Sequence, residues 1–482
     1  MKNLQNIKAK LVFDYFKEIS SIPRGSGNEK QISDYLKGFA EKLNLEVIQD
    51  DALNIIIKKP ASKGYENAPT VIIQGHMDMV CEKNNNKVHD FTKDGLELIV
   101  KDDYIYANET TLGADDGIAV AYAMAILADD SIKHPNLEIL LTTDEETGMT
   151  GAMAVSKDNI KLKILLNIDT EDEGYLLVSC AGGIRTKSII KLEKEPLKSN
   201  VSLFEISIKG LKGGHSGCDI EKERGNANKI LGRVLKGISE NLSFDLIEIG
   251  GGSKNNAIPR ESHAIIATNE VCKLKESILI FDEIMKNELK VSDSLVSVNV
   301  NEYNKEPKLK ISDKRKKDII NLLFLYPNVI NSMSNNIDNL VESSTNLGII
   351  KMTDDYIEFD SAVRSSTRSR LDDIVSKIEL LTNLCNAQFE KNDPYPAWEY
   401  KQESKVREIC KSVYKEMYGE DIKVYAIHAG VECGLFEERI GDLDMVSFGP
   451  DIIDAHTPNE HLSISSTERV YEYLLKVLEN IK

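Results

Sequence analysis

The sequence predicts an α/β fold, a mixed, mostly parallel sheet with helices on both faces, interrupted by an inserted α+β unit. Three observations predict it. Short apolar runs at residues 54–58, 71–74, 137–142 and 164–168 have strand length and are separated by stretches of helical period. The texture changes near residue 186, where strands begin to alternate apolar and polar residues. Buried-strand character then returns after about residue 390. The expected organisation is a domain formed by 1–185 and 391–482, with 186–390 inserted into it.

Taken in order, MKNLQNIKAKLVFDYFKEIS has helical periodicity over 9–19 with charges threaded through it. It lacks an uninterrupted apolar core and a small-residue cleavage site, so it reads as an amphipathic helix and not as a secretory signal. A second helical pattern covers 29–43. The segment GIAVAYAMAILADD after Asp116 is apolar all round and reads as a buried helix. Strands alternating with helices argue for parallel pairing. In the inserted unit, VSLFEISIKG leads through a Gly-rich turn to a helix over 221–239. LVSVNV, YIEFDSAVRSS and a periodic helix over 370–384 follow. VYAIHAG and DMVSFGP then complete the first domain.

Charge narrows the function. With 78 acidic against 60 basic residues the net charge is −18, which repels phosphate backbones and excludes nucleic acid as a partner. No apolar run approaches the ~20 residues of a membrane span. Seven scattered cysteines, never spaced C-x-x-C, fit reduced thiols in a cytoplasm and argue against a disulfide framework. Phosphoryl transfer and serine chemistry find no G-x-x-x-x-G-K-[ST] or G-x-S-x-G motif.

Five segments carry imidazole or carboxylate groups to the ends of predicted elements. VIIQGHMDMV ends its strand on His76 and Asp78, and TTDEETG supplies Asp144, Glu145 and Glu146. The strand at 164–168 ends at Asp169, DIIDAHTPNEH supplies His456, and LGADDG places Asp115 and Asp116 ahead of the buried helix. In an open α/β sheet, ligands bind beyond the carboxyl ends of the strands. Each piece alone has an ordinary explanation: a hydrogen-bonded loop histidine, an N-capping Asp pair, a solvated Glu pair. Together they crowd carboxylates that repel one another unless cations sit among them. An oxygen and imidazole set without thiolate suits zinc, manganese or cobalt. Asp78, two residues beyond His76, is placed to accept from its imidazole and fix the ring. Of the adjacent Glu145 and Glu146, one can bind metal while the other stays free to move protons.

The motifs GHMDMV, LGADDGIAVA, TTDEETGMTGA, NIDTEDEG, GLKGGHSG, GGSKNNAIPRE, HAGVECGLF and AHTPNE occur in that order, after an early IPRGSGNEK. Together they resemble the aminoacyl-histidine dipeptidases, or cytosolic non-specific dipeptidases, of the di-zinc superfamily that includes aminoacylases and carboxypeptidases. The resemblance runs essentially from end to end, and HAGVECGLF and GGSKNNAIPRE are its more specific markers.

What the resemblance implies is a cytoplasmic di-metal hydrolase. His76 and Asp169 would hold one ion, Glu146 and His456 the other, and Asp115 would bridge them. The ions would be zinc first, with cobalt or manganese as alternatives. Glu145 would be the general base and acid and Asp78 the partner of His76. His456 is chosen over His461 because AHTPNE is the family's ligand position, and Asp116 is left to helix capping. The inserted unit would be a lid able to form a homodimer, and its His215 would steady the oxyanion. Asn256, Arg364, Arg368 and Glu432 would contact the ends of the substrate, Arg suiting its carboxylate and Glu its ammonium. His89, His134 and His263 are read as loop or surface residues. The implied reaction is hydrolysis of dipeptides, Xaa-His or a broader range, by a hydroxide bridging the ions. The alternatives are removal of an acyl group from an N-acyl amino acid at the same centre, or a non-catalytic metal-binding scaffold.

Overall fold

A computed structural model describes residues 9–158, 160 and 163–482, so the eight residues ahead of the N-terminal helical pattern lie outside the described residues. The chain divides into two compact units. One comprises the chain up to Ser179 with Tyr400–Ala426 and Val431–Lys482; the other comprises Cys180–Glu399 and Ile427–Gly430.

In the first unit, eight strands among the described residues form a sheet. Their order is Glu46–Gln49, Ile55–Lys59, Leu137–Thr142, Val71–His76, Ile164–Asn167, Asp444–Ser447, Tyr175–Cys180, Lys423–Ile427. Val71–His76 pairs in parallel with both neighbours, and Ile164–Asn167 with Asp444–Ser447. Ile55–Lys59 pairs antiparallel with Leu137–Thr142, and Asp444–Ser447 pairs antiparallel with Tyr175–Cys180. Glu46–Gln49 and Ile55–Lys59 are joined by five residues, too few for a crossover, and pair antiparallel. Val71–His76 and Leu137–Thr142 are buried along their whole length, which is why they read as continuous apolar runs.

The helix Ala114–Ala128 is buried from Ala114 to Leu127 and packs against Val71–His76. Small residues permit that approach, since a Cβ on Gly75 would lie 2.4 Å from the Cβ of Ala119. Lys10–Ser20 packs on this helix, and Lys405–Tyr418 packs on Asp444–Ser447 and on Ile464–Asn480. Ser404 and Ser463 cap the N-termini of the last two by accepting from Arg407 N and Ser466 N.

The second unit carries an antiparallel sheet. Its order is Ser297–Glu302, Ser202–Lys209, Ser262–Thr268, Asp245–Gly251, Val341–Met352, Tyr356–Ser365, Gly182–Lys191, Gln388–Tyr395. One core joins it to the helices Ala227–Asn241, Val271–Glu288, Asp313–Leu325 and Arg368–Leu384. The helix expected over 221–239 begins only at Ala227. Glu223 sits at φ +45° and interrupts the path, and Asn226 then starts the helix by accepting from Lys229 N at 3.1 Å. Cys81, Cys218, Cys272, Cys385 and Cys410 are free thiols. No helix among the described residues is long and apolar enough to cross a membrane.

Candidate metal centre

The parallel strands bring their carboxyl ends side by side. His76 is opposite Thr142 and Gln74 is opposite Asn167, so His76, the Glu145–Glu146 turn and Asp169 leave the sheet together. Asp115 arrives from the N-terminal turn of the buried helix, and His456 from the loop before His461–Ser463.

Asp115 offers one oxygen to each histidine. Its Oδ1 lies 3.1 Å from His76 Nε2, and its Oδ2 lies 3.0 Å from His456 Nε2. His76 Nε2 is also 3.6 Å from Asp169 Oδ1, and His456 Nε2 is 3.0 Å from Glu146 Oε1. Glu146 Oε1 is buried, with the His456 ring nitrogen as its near neighbour. Three sets of donor atoms lie close enough to share an ion: Asp115, Glu146 and His456; His76, Asp116 and Asp169; His76, Glu145 and Glu146. His456 adopts φ +62°, a left-handed conformation that His takes more readily than most residues and that clusters at functional sites.

Asp78, fully buried, faces His76 Nδ1 at 3.4 Å. Its Oδ1 accepts from Glu145 N at 3.1 Å, and its Oδ2 from Glu146 N at 3.3 Å and Ser26 Oγ at 2.8 Å. One carboxylate thus orients the imidazole and ties down the turn that carries both glutamates. Asp144, by contrast, is spent on its own turn, where it accepts from Thr147 and Thr150. His461 bonds Asn459 O through Nδ1 and stacks on Tyr106 at 4.7 Å, outside the cluster.

Asp116 is not a helix cap. Its Oδ2 accepts from His76 N at 3.3 Å, while Oδ1 is buried without a partner. Asp115 and Asp116 have non-helical φ/ψ, and the peptide bond between them is cis. The amides of this turn are instead taken by Glu460, which accepts from Leu112, Gly113 and Ala114 at 2.7–3.0 Å. A local reading of LGADDG could not find a cap more than three hundred residues away.

The electrostatics follow from crowding. Burial opposes charge on His76, but hydrogen bonds with Asp115, Asp169 and Asp78 outweigh it and hold its pKa well above the ordinary range. Hydrogen bonds with Asp115 and Glu146 raise His456 to about 11. Burial pushes Asp169 up to about 6 and Glu145 to about 9, the latter helped by the fields of Asp169, Glu432 and Glu146. Glu171 is an exposed acid beside the cluster that was not singled out in the sequence; partial desolvation and the charges of Asp115 and Asp169 raise its pKa. Acids held up by burial and imidazoles held charged by their neighbours are what a pocket built for positive ions looks like.

Beneath the cluster lies a polar network. Glu432 is fully buried; its Oε2 accepts from Gln74 Nε2 at 2.7 Å and Thr142 Oγ1 at 2.8 Å, and Oε1 has no partner. Gln74 Oε1 in turn accepts from Asn167 Nδ2. Each of Gln74 and Asn167 stands two residues before a cluster member, and Gln74 shares the face of its strand with His76.

In the second unit, His215 lies on the short strand Gly214–His215, paired with Ala257–Ile258. Its Nδ1 accepts from Gly217 N and Cys218 N at 3.3 and 3.1 Å, which leaves the proton on Nε2. Burial and the Arg364 guanidinium lower its pKa, so it is a neutral donor. Arg364, on Tyr356–Ser365, is 8% exposed; its Nη1 donates to Tyr395 OH at 2.5 Å, and its Nε is unpartnered. A Cβ on Gly217 would lie 3.1 Å from His215 Cε1 and 3.3 Å from Arg364 Nε, so these groups form one cluster around a glycine. Asn256 is exposed beside it, its backbone O accepting from Ser216 N. Arg368 is elsewhere in kind: exposed, with its Nε 3.3 Å from Asp372 on the same helix. His428, unassigned in the sequence although it opens HAGVECGLF, is buried with Nε2 2.7 Å from Ser344 Oγ.

A mixed α/β sheet whose strand ends gather histidines and carboxylates defines the class, and the family profile matches it: that of peptidase family M20/M25/M40 covers residues 72–480, and the chain belongs to this family. Within it, the chain is 38% identical over 483 residues to the cytosol non-specific dipeptidase of Escherichia coli (strain K12), spanning 100% of this chain and 99% of that protein. The crystal structure of aminoacylhistidine dipeptidase from Vibrio alginolyticus matches with a TM-score of 0.95 and 35% identity, covering 99% of this chain and 98% of that one. Aminopeptidase PepT from Bacillus cereus ATCC 10987 shares the fold, with a TM-score of 0.59, 16% identity and coverage of 98% and 99%.

Proposed function

We propose that the chain is a metal-dependent dipeptidase of the cytoplasm, acting on Xaa-His or a broader range of dipeptides. The observation that carries this reading is the division of Asp115 between His76 and His456, with Glu145 beside them and not needed by either pair. Full-length similarity to two dipeptidases supports it.

His76 and Asp169 would hold one ion, Glu146 and His456 a second, and Asp115 would be shared. Zinc suits the donors best, with cobalt or manganese as alternatives. Such ions, when bound, acidify water and polarise a carbonyl. Glu145 accepts the proton of the attacking water and returns it to the leaving amine. Positive charge among Asp169, Glu432 and Glu146 would oppose the rise that burial and these acids impose on its pKa. Asp78 keeps the His76 ring aligned and the Glu145–Glu146 turn in place. His215 donates Nε2–H to the developing oxyanion. Arg364 is the favoured partner of the substrate carboxylate, with Asn256 beside it. Arg368, in its surface pair with Asp372, is a weaker choice. Glu432 as an ammonium contact has to be weighed against its enclosure by Gln74 and Thr142, which favours a supporting role. The second unit, 186–390 in the sequence reading, would act as a lid and as the surface of a homodimer, which sedimentation of the purified protein tests.

The deciding experiment is a panel of dipeptides against N-acetyl amino acids, assayed before and after chelation. Chelator-sensitive dipeptide hydrolysis is expected. Turnover of only the N-acetyl amino acids favours the deacylase, and no hydrolysis of either class favours a scaffold.

A further inference from the structure

The glycines of LGADDG and the arginine of IPRGSGNEK find their explanation in one another. Arg24 is 2% exposed. Its Nη1 donates to Met77 O and Asp78 O, both at 3.1 Å, and its Nη2 donates to Gly113 O. A Cβ on Gly113 would come within 2.6 Å of Nη2, and one on Gly117 within 2.5 Å. The two glycines therefore clear the path of a buried guanidinium that crosses from the His76–Asp78 segment to the turn bearing Asp115.

Glu460, also 2% exposed, grips the amide side of the same turn. Its Oε2 accepts from Leu112 N and Gly113 N at 2.8 and 3.0 Å, and its Oε1 from Ala114 N at 2.7 Å. Glu460 follows His456 by four residues, so its grip also fixes where that loop returns. A carboxylate accepting three amide protons on one side and a guanidinium donating to a carbonyl on the other satisfy the turn without any metal ion.

We propose that Arg24 and Glu460 are a positioning pair that holds the turn 112–115 in the shape that lets Asp115 face both halves of the metal centre before an ion arrives. The inference rests on the two-metal reading given above. It assigns neither residue to the metal or the substrate. Each acts through the backbone that carries His76, Asp78 and Asp115.

The test uses the full chain, chelated and titrated with cobalt(II) alone, followed by its visible absorption bands. The wild type should take up two equivalents. E460Q turns an amide NH₂ toward N–H donors, and R24K cannot span both carbonyl sets. Each should stay folded by circular dichroism, bind the second equivalent about 10–100-fold more weakly and show altered bands. Y122F removes a buried hydrogen bond from the same helix to Thr467 O, and should lower the melting temperature without changing cobalt affinity. Hydrogen exchange on the chelated wild type adds a readout that needs no variant: amides 112–114 should already be protected. Wild-type cobalt affinity and bands in both E460Q and R24K overturn the proposal, as does rapid exchange of those amides until cobalt is added. If the wild type binds no cobalt, the two-metal reading fails and this inference fails with it.

Discussion

His76 Nδ1 lies 3.4 Å from Asp78 Oδ1, which leaves Nε2 as the atom facing Asp115 and Asp169. The pairing decides which nitrogen carries the proton and which stays free to bind a cation. Asp78 does more than this, because its oxygens also take the amides of Glu145 and Glu146 and the hydroxyl of Ser26. D78N places an NH₂ where donors already point. It should cost about 1–3 kcal/mol of stability and about 10–100-fold in metal affinity, read by thermal melting and by metal competition with a chromogenic chelator.

Glu145 has its backbone on Asp78, and burial, with the acids around its side chain, raises its pKa. E145Q keeps the volume and removes the base. The expected result is full metal content with kcat reduced by about 10²–10⁴-fold, measured by elemental analysis and dipeptide hydrolysis on the same sample. Near-normal turnover with full metal content would show that another group moves the proton.

Gly217 is the point where His215, Arg364 and the His428 carbonyl crowd together; a Cβ there would lie 2.4 Å from His428 O. G217A should push the His428 carbonyl aside and disturb His215 and Arg364 with it. A loss of about tenfold or more in kcat/KM is expected, because small misplacement of positioning groups is costly. Unchanged kinetics would mean that this cluster does not serve the reaction.

His428 sets a pH dependence of stability. Burial, with the Arg364 charge adding to it, lowers its pKa to about 3 from 6.5. Between those values the unfolded chain binds the proton and the folded one does not, so the stabilising contribution is complete above about pH 6.5. It is lost as the pH falls toward 3, by about 1.4 kcal/mol per unit. Urea titrations between pH 4 and 7 should show that extra slope in the wild type and not in H428Q.

Much of this was legible in the sequence because burial writes itself into strands. VIIQ and LEILLT are buried along their length because each lies inside the sheet between two neighbouring strands, and the polar residues that end them had to face something. His76, Glu145, Glu146 and Asp169 could thus be grouped from the residues themselves. His456 needed the resemblance, since its loop carries a second histidine with equal local credentials. The edge strands were less legible: antiparallel pairing of Glu46–Gln49 and Ile55–Lys59 depends on a short connection and not on composition. Arg24, Glu460 and the capping of Asp116's turn were invisible for a different reason. Their partners lie 53 to 348 residues away, and nothing in a local pattern distinguishes a buried Arg from one on the surface.

The most direct measurement is anomalous diffraction at the zinc edge from crystals of the zinc-loaded protein. Two peaks are expected, one within bonding distance of His76 and Asp169, the other of Glu146 and His456, with an oxygen of Asp115 on each. A single peak, or two peaks with Asp115 bound to only one of them, would contradict the shared carboxylate on which the assignment rests.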